Sequence, residues 1–335
     1  MKLEMAPLEG ITTYVYRNAH ARYFGKMNKY YTPFLSLHKE KEFNHKERQE
    51  ILPEHNEGLY VIPQVLTNSA EDFLRAAEKL RALGYEEINI NMGCPSGTVT
   101  AKAKGAGMLD DPMRLDRFLA EIFERTPVEI SVKTRLGMEK PEEWEDLLRI
   151  YNKYPLKELI IHARVRADFY QNVPNWDAFA RAVADSKNPI CYNGDIFELA
   201  DYNRLVERFP GLDRVMLGRG ILANPFLPRH IYGVACGNGG CREVDIGKKE
   251  QKSPMQDARK AVRCSGAFQC EEDVLKLEAF HEELYVEYQK LLSGDRNILF
   301  KMKELWTYMV RLWPEVEKHQ KAIRKAKVVR SMRIM

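Results

Sequence analysis

The stretch Ile88–Leu109, ININMGCPSGTVTAKAKGAGML, decides how this chain is read. It opens as a strand in which Ile88, Ile90 and Met92 alternate with Asn89 and Asn91. It breaks at Gly93-Cys94-Pro95 into a run that holds Gly97, Gly105 and Gly107 together with Lys102 and Lys104. A cysteine between a glycine and a proline at a strand end stands in a loop, where α/β proteins carry their chemistry.

Short apolar runs of the same kind recur from residue 3 to about residue 230, alternating with helix-period segments. The strand candidates are Leu3–Ala6, Tyr30–Thr32, Leu59–Val65, Glu87–Asn91, Glu129–Lys133, Glu158–His162, Ile190–Tyr192 and Arg214–Leu217. Between them, Ser69–Leu83 places Phe73, Ala76, Ala77 and Leu80 on one helical face behind a Ser69 cap. Eight strands with intervening helices predict an α/β fold of the (β/α)8 TIM-barrel type. The alternative, an open doubly wound sheet, is disfavoured because no glycine fingerprint for phosphate follows the first strand.

The chain has 335 residues, 44% hydrophobic and 30% charged, with a net charge of +4. This is the composition of a globular protein, mildly basic and so weakly suited to an anionic partner. No apolar run reaches membrane-spanning length and the first residues lack a signal-peptide core, so a cytoplasmic protein with reduced cysteines is expected.

The strand ends carry Ala6-Pro7-Leu8-Glu9, Gln64, Asn89 and Asn91, Lys133 with Arg135, His162 with Arg164, Asn193-Gly194-Asp195 and Gly218-Arg219-Gly220. In a barrel these converge on the carboxyl-end face. One polar residue after a strand is ordinarily a turn former; polar residues at nearly every strand end ask for another reason. Amide side chains suit a ring bearing both donors and acceptors. The turns after the last two strands are where barrels commonly hold phosphate. Flavin mononucleotide fits such a set, though the pattern does not select it over other phosphorylated ligands.

The segments MAPLEGITTYVYRN (5–18), PQVLTN (63–68), NINMGCPSGTVTAKAKGAGML (89–109), SVKTRLG (131–137), IIHARVR (160–166), CYNGDIF (191–197) and VMLGRGILANP (215–225) together resemble the bacterial tRNA-dihydrouridine synthases. The resemblance implies an FMN-containing barrel that uses NADPH, or NADH, to reduce selected uridines in tRNA. It implies that Ala6, Pro7 and Leu8 line the flavin and that Gln64, Lys133 and His162 meet its ring system. Asn193, Gly194, Asp195, Gly218 and Arg219 would hold the phosphate end. Cys94 would be the general acid that protonates C5 of uracil, a role open to a thiol whose ordinary pKa is about 8.5. The ordinary alternative for Cys94 is a small buried hydrophobe. No metal is expected there, since no second cysteine lies at ligand spacing. Asn91, Lys102, Lys104, Arg135 and Arg164 are candidates for contact with the substrate, with solvated surface charge as the alternative for the two lysines.

Three parts are expected: a catalytic barrel over 1–230, a cysteine-containing insertion or linker over 231–272, and a helical tRNA-binding domain over 273–335. The linker holds Cys236, Cys241, Cys264 and Cys270 at spacings unlike the usual zinc knuckles, so a loosely ordered connection is expected. In the last part Val274, Leu277, His281, Leu284, Tyr288 and Leu291 form one stripe, and Ile298, Met302, Leu305, Met309 and Leu312 a second. Lys318, Lys321, Arg324, Lys325, Lys327, Arg330 and Arg333 follow without an acidic residue. The segment Asp295–Trp306 extends the resemblance into this part. A basic helix of this kind supplies salt-dependent affinity for RNA. Competing readings are a flavin barrel acting on a free pyrimidine or an enone, and an RNA-binding protein without chemistry. No protein partner is indicated.

Overall fold

The computed structural model describes residues 1–38, 42–233, 271–313 and 315–327. Its strands are β1 (Lys2–Met5), β2 (Lys29–Tyr31), β3 (Val61–Ile62), β4 (Gln64–Val65), β5 (Glu87–Met92), β6 (Glu129–Arg135), β7 (Glu158–His162), β8 (Ile190–Asn193) and β9 (Arg214–Leu217). Every pairing between them is parallel. The strand order is β3-β2-β1-β9-β8-β7-β6-β5-β4. Pro63 separates β3 from β4, because proline has no N–H for the ladder. The segment 61–65 therefore pairs with β2 through Val61 and Ile62 and with β5 through Gln64 and Val65, completing an eight-stranded ring. The carbonyl of Pro63 still accepts from Asn89 N at 2.9 Å.

Outward-facing residues pack under the helices. Phe179 meets Tyr192 edge to face at 5.0 Å, and Tyr151 shares a 3.0 Å hydrogen bond with Thr134. Local sequence sets the helix ends. Ser69 caps Ala70–Ala82 by accepting from Asp72 N at 3.2 Å, and Phe73, Ala76, Ala77 and Leu80 are fully buried. Asp111 caps Pro112–Arg125, whose first residue is the proline that a first turn tolerates.

The inward face departs from the apolar filling expected of such a barrel. Its centre is apolar, with Ala6, Tyr31, Ile62, Ile160, Cys191 and Met216 in one cluster. At the amino ends of the strands it is charged. Lys29 Nζ lies 3.0 Å from Glu87 and 2.9 Å from Glu158, and Arg214 lies 3.8 Å from Glu158. The Tyr31 hydroxyl lies 3.1 Å from both Glu4 Oε2 and Glu158 Oε2. A phenol has one hydrogen to donate, so two ionised carboxylates cannot both be satisfied by it. Lys29 neutralises Glu158, whereas Glu4 has the poorer share. Glu4, Glu158 and Cys191 place three potential metal-ligand atoms within 4.8 Å of one another, yet Lys29 and Tyr31 already occupy the carboxylates. Burial first, and Glu158 second, hold the Glu4 carboxyl well above the ordinary carboxylate range.

The described residues form two compact units. The first takes in Met1–Tyr14, Met27–Ile196 and Asp201–Gly218 and contains the barrel strands. The second combines Val15–Lys26, Phe197–Ala200 and the residues from Arg219 onward. Its core is built by Phe24, Phe226 and Phe280, with ring centroids 4.8 and 5.0 Å apart around Phe24. Arg229 grips the buried Asp273 through two 2.7 Å hydrogen bonds. Helices Glu271–Leu291, Asp295–Met309 and Val316–Lys325 follow. In the first of these Leu291 is 46% exposed and Phe280 is buried, because the buried stripe is broader than a strict three-four spacing. The four cysteines of the expected linker, with Arg330 and Arg333, lie outside the described residues. No helix among the described residues is long and apolar enough to cross a membrane.

Glu4 makes stability depend on pH. The unfolded chain loses this proton in the ordinary carboxylate range, near pH 4.3, while the folded chain keeps it to higher pH. The folded state then binds more protons, and stability falls as pH rises through that window. Glu4→Gln keeps the shape and removes the titration. Its melting temperature is expected to decline less between weakly acidic and weakly alkaline pH than that of the wild type, as read by calorimetry across a pH series.

Candidate active site

The carboxyl-end layer of the barrel interior comes from residues two apart on each strand, which the pleat points the same way. Asn89 and Asn91 on β5, Ser131, Lys133 and Arg135 on β6, His162 on β7 and Asn193 on β8 face inward with Gln64 on β4. Gln64 Nε2 donates to Asn89 Oδ1 at 2.7 Å, and Asn91 Nδ2 donates to Gln64 Oε1 at 2.7 Å. Lys133 Nζ donates to Asn193 Oδ1 at 2.9 Å, and Asn193 Nδ2 donates to the Met216 carbonyl at 2.9 Å. Lys133 is half-buried, and burial first, then the Arg135 charge, pull its pKa down to about 7. Its partner is a neutral amide oxygen, which does not hold the proton on the amine as a carboxylate would, so the group titrates near neutral pH.

Cys94 follows β5 in the loop that leads to Pro112–Arg125 and is half-buried. Its backbone is held from several sides. Asn91 Oδ1 accepts from Gly93 N at 3.1 Å and from Cys94 N at 2.9 Å. Arg135 Nε donates to the Gly93 carbonyl at 2.8 Å, and Arg135 Nη1 donates to the Val165 carbonyl at 2.9 Å. The Cys94 carbonyl accepts from Ala106 N at 3.0 Å. Gly105 makes that return possible. Its φ is +56°, and a Cβ on it would lie 2.9 Å from both the Cys94 carbonyl oxygen and Val99 Cγ1. Burial raises the Cys94 thiol above its ordinary value against the lowering effects of the Ser96 backbone and Arg135, so the group is a thiol at neutral pH.

Ala6 N donates to the Leu217 carbonyl at 2.8 Å. The turn through Pro7 and Leu8 is closed by Thr12 Oγ1, which accepts from Leu8 N at 2.8 Å and donates to the Ala6 carbonyl at 3.1 Å. Gly218 comes close to Ala6, since a Cβ on it would lie 3.5 Å from that of Ala6. Gly194 sits against the Tyr192 hydroxyl, 2.2 Å from where its own Cβ would be, so no larger residue fits.

Arg164 is almost fully buried and extensively engaged. It pairs with both carboxylate oxygens of Asp195 at 3.2 and 2.5 Å, and it donates to the carbonyls of Gln171 at 2.8 Å and Asn172 at 2.6 Å. It also lies 3.2 Å from His162 Nε2. The structure thus makes Arg164 and Arg135 holders of loops, and turns the Asn193 side chain toward Lys133. Lys102 is exposed, and its carbonyl accepts from Asn68 Nδ2 at 2.9 Å; Lys104 is half-buried. Arg219 belongs to the second unit, where its guanidinium lies 5.5 Å from the Phe197 ring centre. Tyr170 was not legible from sequence. Its ring lies 5.5 Å from the Arg135 guanidinium and 6.0 Å from the His162 ring, and it is 46% exposed. It stands in a loop with no periodicity to mark it. Thr12 and Ser131 were also missed as site residues; Asn89, in the two-residue phase of Asn91, is one of the expected strand-end residues, and the structure pairs it with Gln64.

A family model described as dihydrouridine synthase (Dus) matches residues 4–258. The chain is 29% identical over 250 residues to the tRNA-dihydrouridine(16) synthase of Aquipseudomonas alcaligenes, covering 71% of this chain and 77% of that protein. It is 30% identical over 249 residues to the enzyme of the same name from Cupriavidus necator, covering 72% and 77%. Among solved structures, the histamine dehydrogenase of Rhizobium sp. 4-9 shares the fold, with a TM-score of 0.51 at 11% identity over 69% of this chain and 45% of that one.

Gly105→Ala should dislodge the Cys94 loop. Strain of about 1–3 kcal/mol is expected from the left-handed backbone alone, and the close contacts add to it. A lowered urea midpoint with a faster reaction of Cys94 toward iodoacetamide is the expected result.

Proposed function

Because the chain belongs to the dihydrouridine synthase family, we propose that it reduces the 5,6 double bond of uridines in tRNA with FMN, re-reduced by NADPH or NADH. The observation that carries this reading is a protonated Cys94, backbone-bonded on both sides, at the mouth of a barrel lined by Gln64, Lys133, His162 and Asn193. These residues suit a flavin. Lys133 is a half-buried amine that titrates near neutrality beside a neutral amide partner, so a ring gaining negative charge next to it would favour its ammonium form. The turns at Ala6-Pro7-Leu8, Asn193-Gly194-Asp195 and Gly218 are proposed to offer backbone N–H groups to the ligand's phosphate end. When bound, the flavin supplies the hydride that adds to C6 of uracil.

The chain's own groups do the rest. Cys94 keeps its proton at neutral pH and delivers it to C5, where negative charge develops. Lys133 stabilises anionic character in the ring system beside it. Arg135 and Asn91 hold the Cys94 backbone, and Arg164 holds Asp195. A uridine inside folded tRNA must leave its stack to reach such a site. The basic helix Val316–Lys325, with Lys318, Lys321, Arg324 and Lys325, is proposed to meet tRNA phosphates. The cytoplasm is the compartment that fits this substrate. The part beginning at residue 273 is accordingly read as the tRNA-binding domain, and 1–230 as the catalytic one.

The test is an anaerobic single turnover in which NADPH-reduced protein meets an unmodified tRNA transcript. Flavin reoxidation with dihydrouridine in the RNA is expected, slowed about 10²- to 10⁴-fold in Cys94→Ala. Reoxidation by a free pyrimidine or an enone and not by tRNA would favour a small-molecule reductase. Replacing Lys318, Lys321 and Lys325 with Gln should flatten the dependence of log affinity on log salt by up to about 0.9 per lysine that touches a phosphate. An unchanged slope would mark the helix as a solvated face.

A further inference from the structure

Four side chains form a one-way chain of hydrogen bonds beneath the Cys94 loop. Asn89 Nδ2 donates to Ser131 Oγ at 3.0 Å, and Asn89 Oδ1 accepts from Gln64 Nε2 at 2.7 Å. Gln64 Oε1 accepts from Asn91 Nδ2 at 2.7 Å, and Asn91 Oδ1 accepts from the backbone N–H groups of Gly93 and Cys94. Asn89, Gln64 and Ser131 are fully buried, and Asn91 nearly so.

The direction of this chain is not free. A backbone N–H can only donate, so Asn91 must present its oxygen to Gly93 and Cys94. Its nitrogen then faces Gln64, which must answer with oxygen, and the Gln64 nitrogen must find the Asn89 oxygen. If any one amide turns over, a donor meets a donor or an acceptor meets an acceptor among buried groups, at a cost typical of an unsatisfied buried polar group. The links are coupled. With the Asn89 oxygen in place a turn of Gln64 is penalised at Asn89 as well as at Asn91, so Asn89 strengthens the preference that keeps the Gln64 oxygen toward Asn91 and the Asn91 oxygen on the Cys94 backbone.

We propose that Asn89 is a positioning residue for the reaction: through Gln64 and Asn91 it fixes the orientation of the backbone that carries Cys94. The proposal rests on the reading of Cys94 as the proton donor. Asn89 itself neither reaches the reacting atoms nor needs to. Its place in the barrel is fixed from the main chain, where Asn89 N donates to the Pro63 carbonyl at 2.9 Å, the point at which β3 and β4 are parted.

The test compares Asn89→Leu, which keeps the branched outline of the side chain, though bulkier, and has neither donor nor acceptor, with Asn89→Asp, which restores the acceptor for Gln64. Two readouts are taken on the flavin-loaded protein. One is single-turnover reoxidation by tRNA, with tRNA affinity measured separately. The other is the rate at which iodoacetamide labels the Cys94-containing peptide, read by mass spectrometry. Asn89→Leu should slow reoxidation by about tenfold to a hundredfold, the scale of a small misplacement of a reacting group, with tRNA affinity unchanged and Cys94 labelled faster. Asn89→Asp should recover most of both losses. A folded Asn89→Leu with wild-type reoxidation and labelling would overturn the proposal, as would failure of Asn89→Asp to recover either. If Asn89→Leu does not fold, Ser131→Ala carries the test, since it takes the acceptor from Asn89 Nδ2 without adding bulk. Slower reoxidation and faster labelling there support the proposal, and unchanged rates overturn it. A Cys94→Ala protein that still reduces tRNA at the wild-type rate would remove the proton-donor reading, and the labelling comparison would then decide by itself whether Asn89 holds the loop.

Discussion

The closure of the strand ring on itself governs everything inside it. In a closed parallel barrel each residue points inward or outward, and the pleat alternates the two without exception along a regular strand. Closure here passes through residues 61–65, where Pro63 divides one strand's hydrogen bonds between two neighbours. Gln64 is thereby carried to the same level as Asn89, its register partner on β5. The interior becomes three storeys: charges at the amino ends, an apolar waist, and amides with one lysine at the carboxyl ends. The carboxyl-end amides answer one another donor to acceptor, while the amino-end storey leaves Glu4 under-served and protonated to higher pH.

The connection bearing Cys94 is the opposite case, two short helical turns, Gly97–Thr100 and Gly105–Asp110, made definite by what they touch. Asn91 holds it from the strand before, Arg135 from the neighbouring strand, and its own Gly105-Ala106 turn from beyond. Arg164 gives the same service to the loop after β7 and to Asp195. Both arginines are nearly inaccessible to solvent, and each spends its fork on carbonyls or a carboxylate of the protein.

Much of this was readable in advance. The strand starts and ends at β7 and β9 agree with the apolar runs, and Gln64 meets Asn91 as Lys133 meets Asn193, because alternation and closure are properties of pattern. The pairing of those residues was not readable. Nothing in the order of Arg164 and Asp195 says that one holds the other, since that depends on how a loop folds back between them. Glu4, Glu87 and Glu158 read as charged residues in strands, and only closure brings Lys29 and Arg214 to them. Asn89 has the signal of its neighbour Asn91, two residues on, but its use lies in an amide from another strand. The division of the chain at Arg219, and the assignment of Val15–Lys26 to the helical unit, follow from aromatic packing around Phe280 that no local pattern announces.

The raised affinity of Cys94 for its proton has a further side. Peroxide and other oxidants attack the thiolate, so a cysteine kept as thiol by burial is a slow target. The same desolvation that keeps the proton on this sulfur therefore also shields it from sulfenic acid formation.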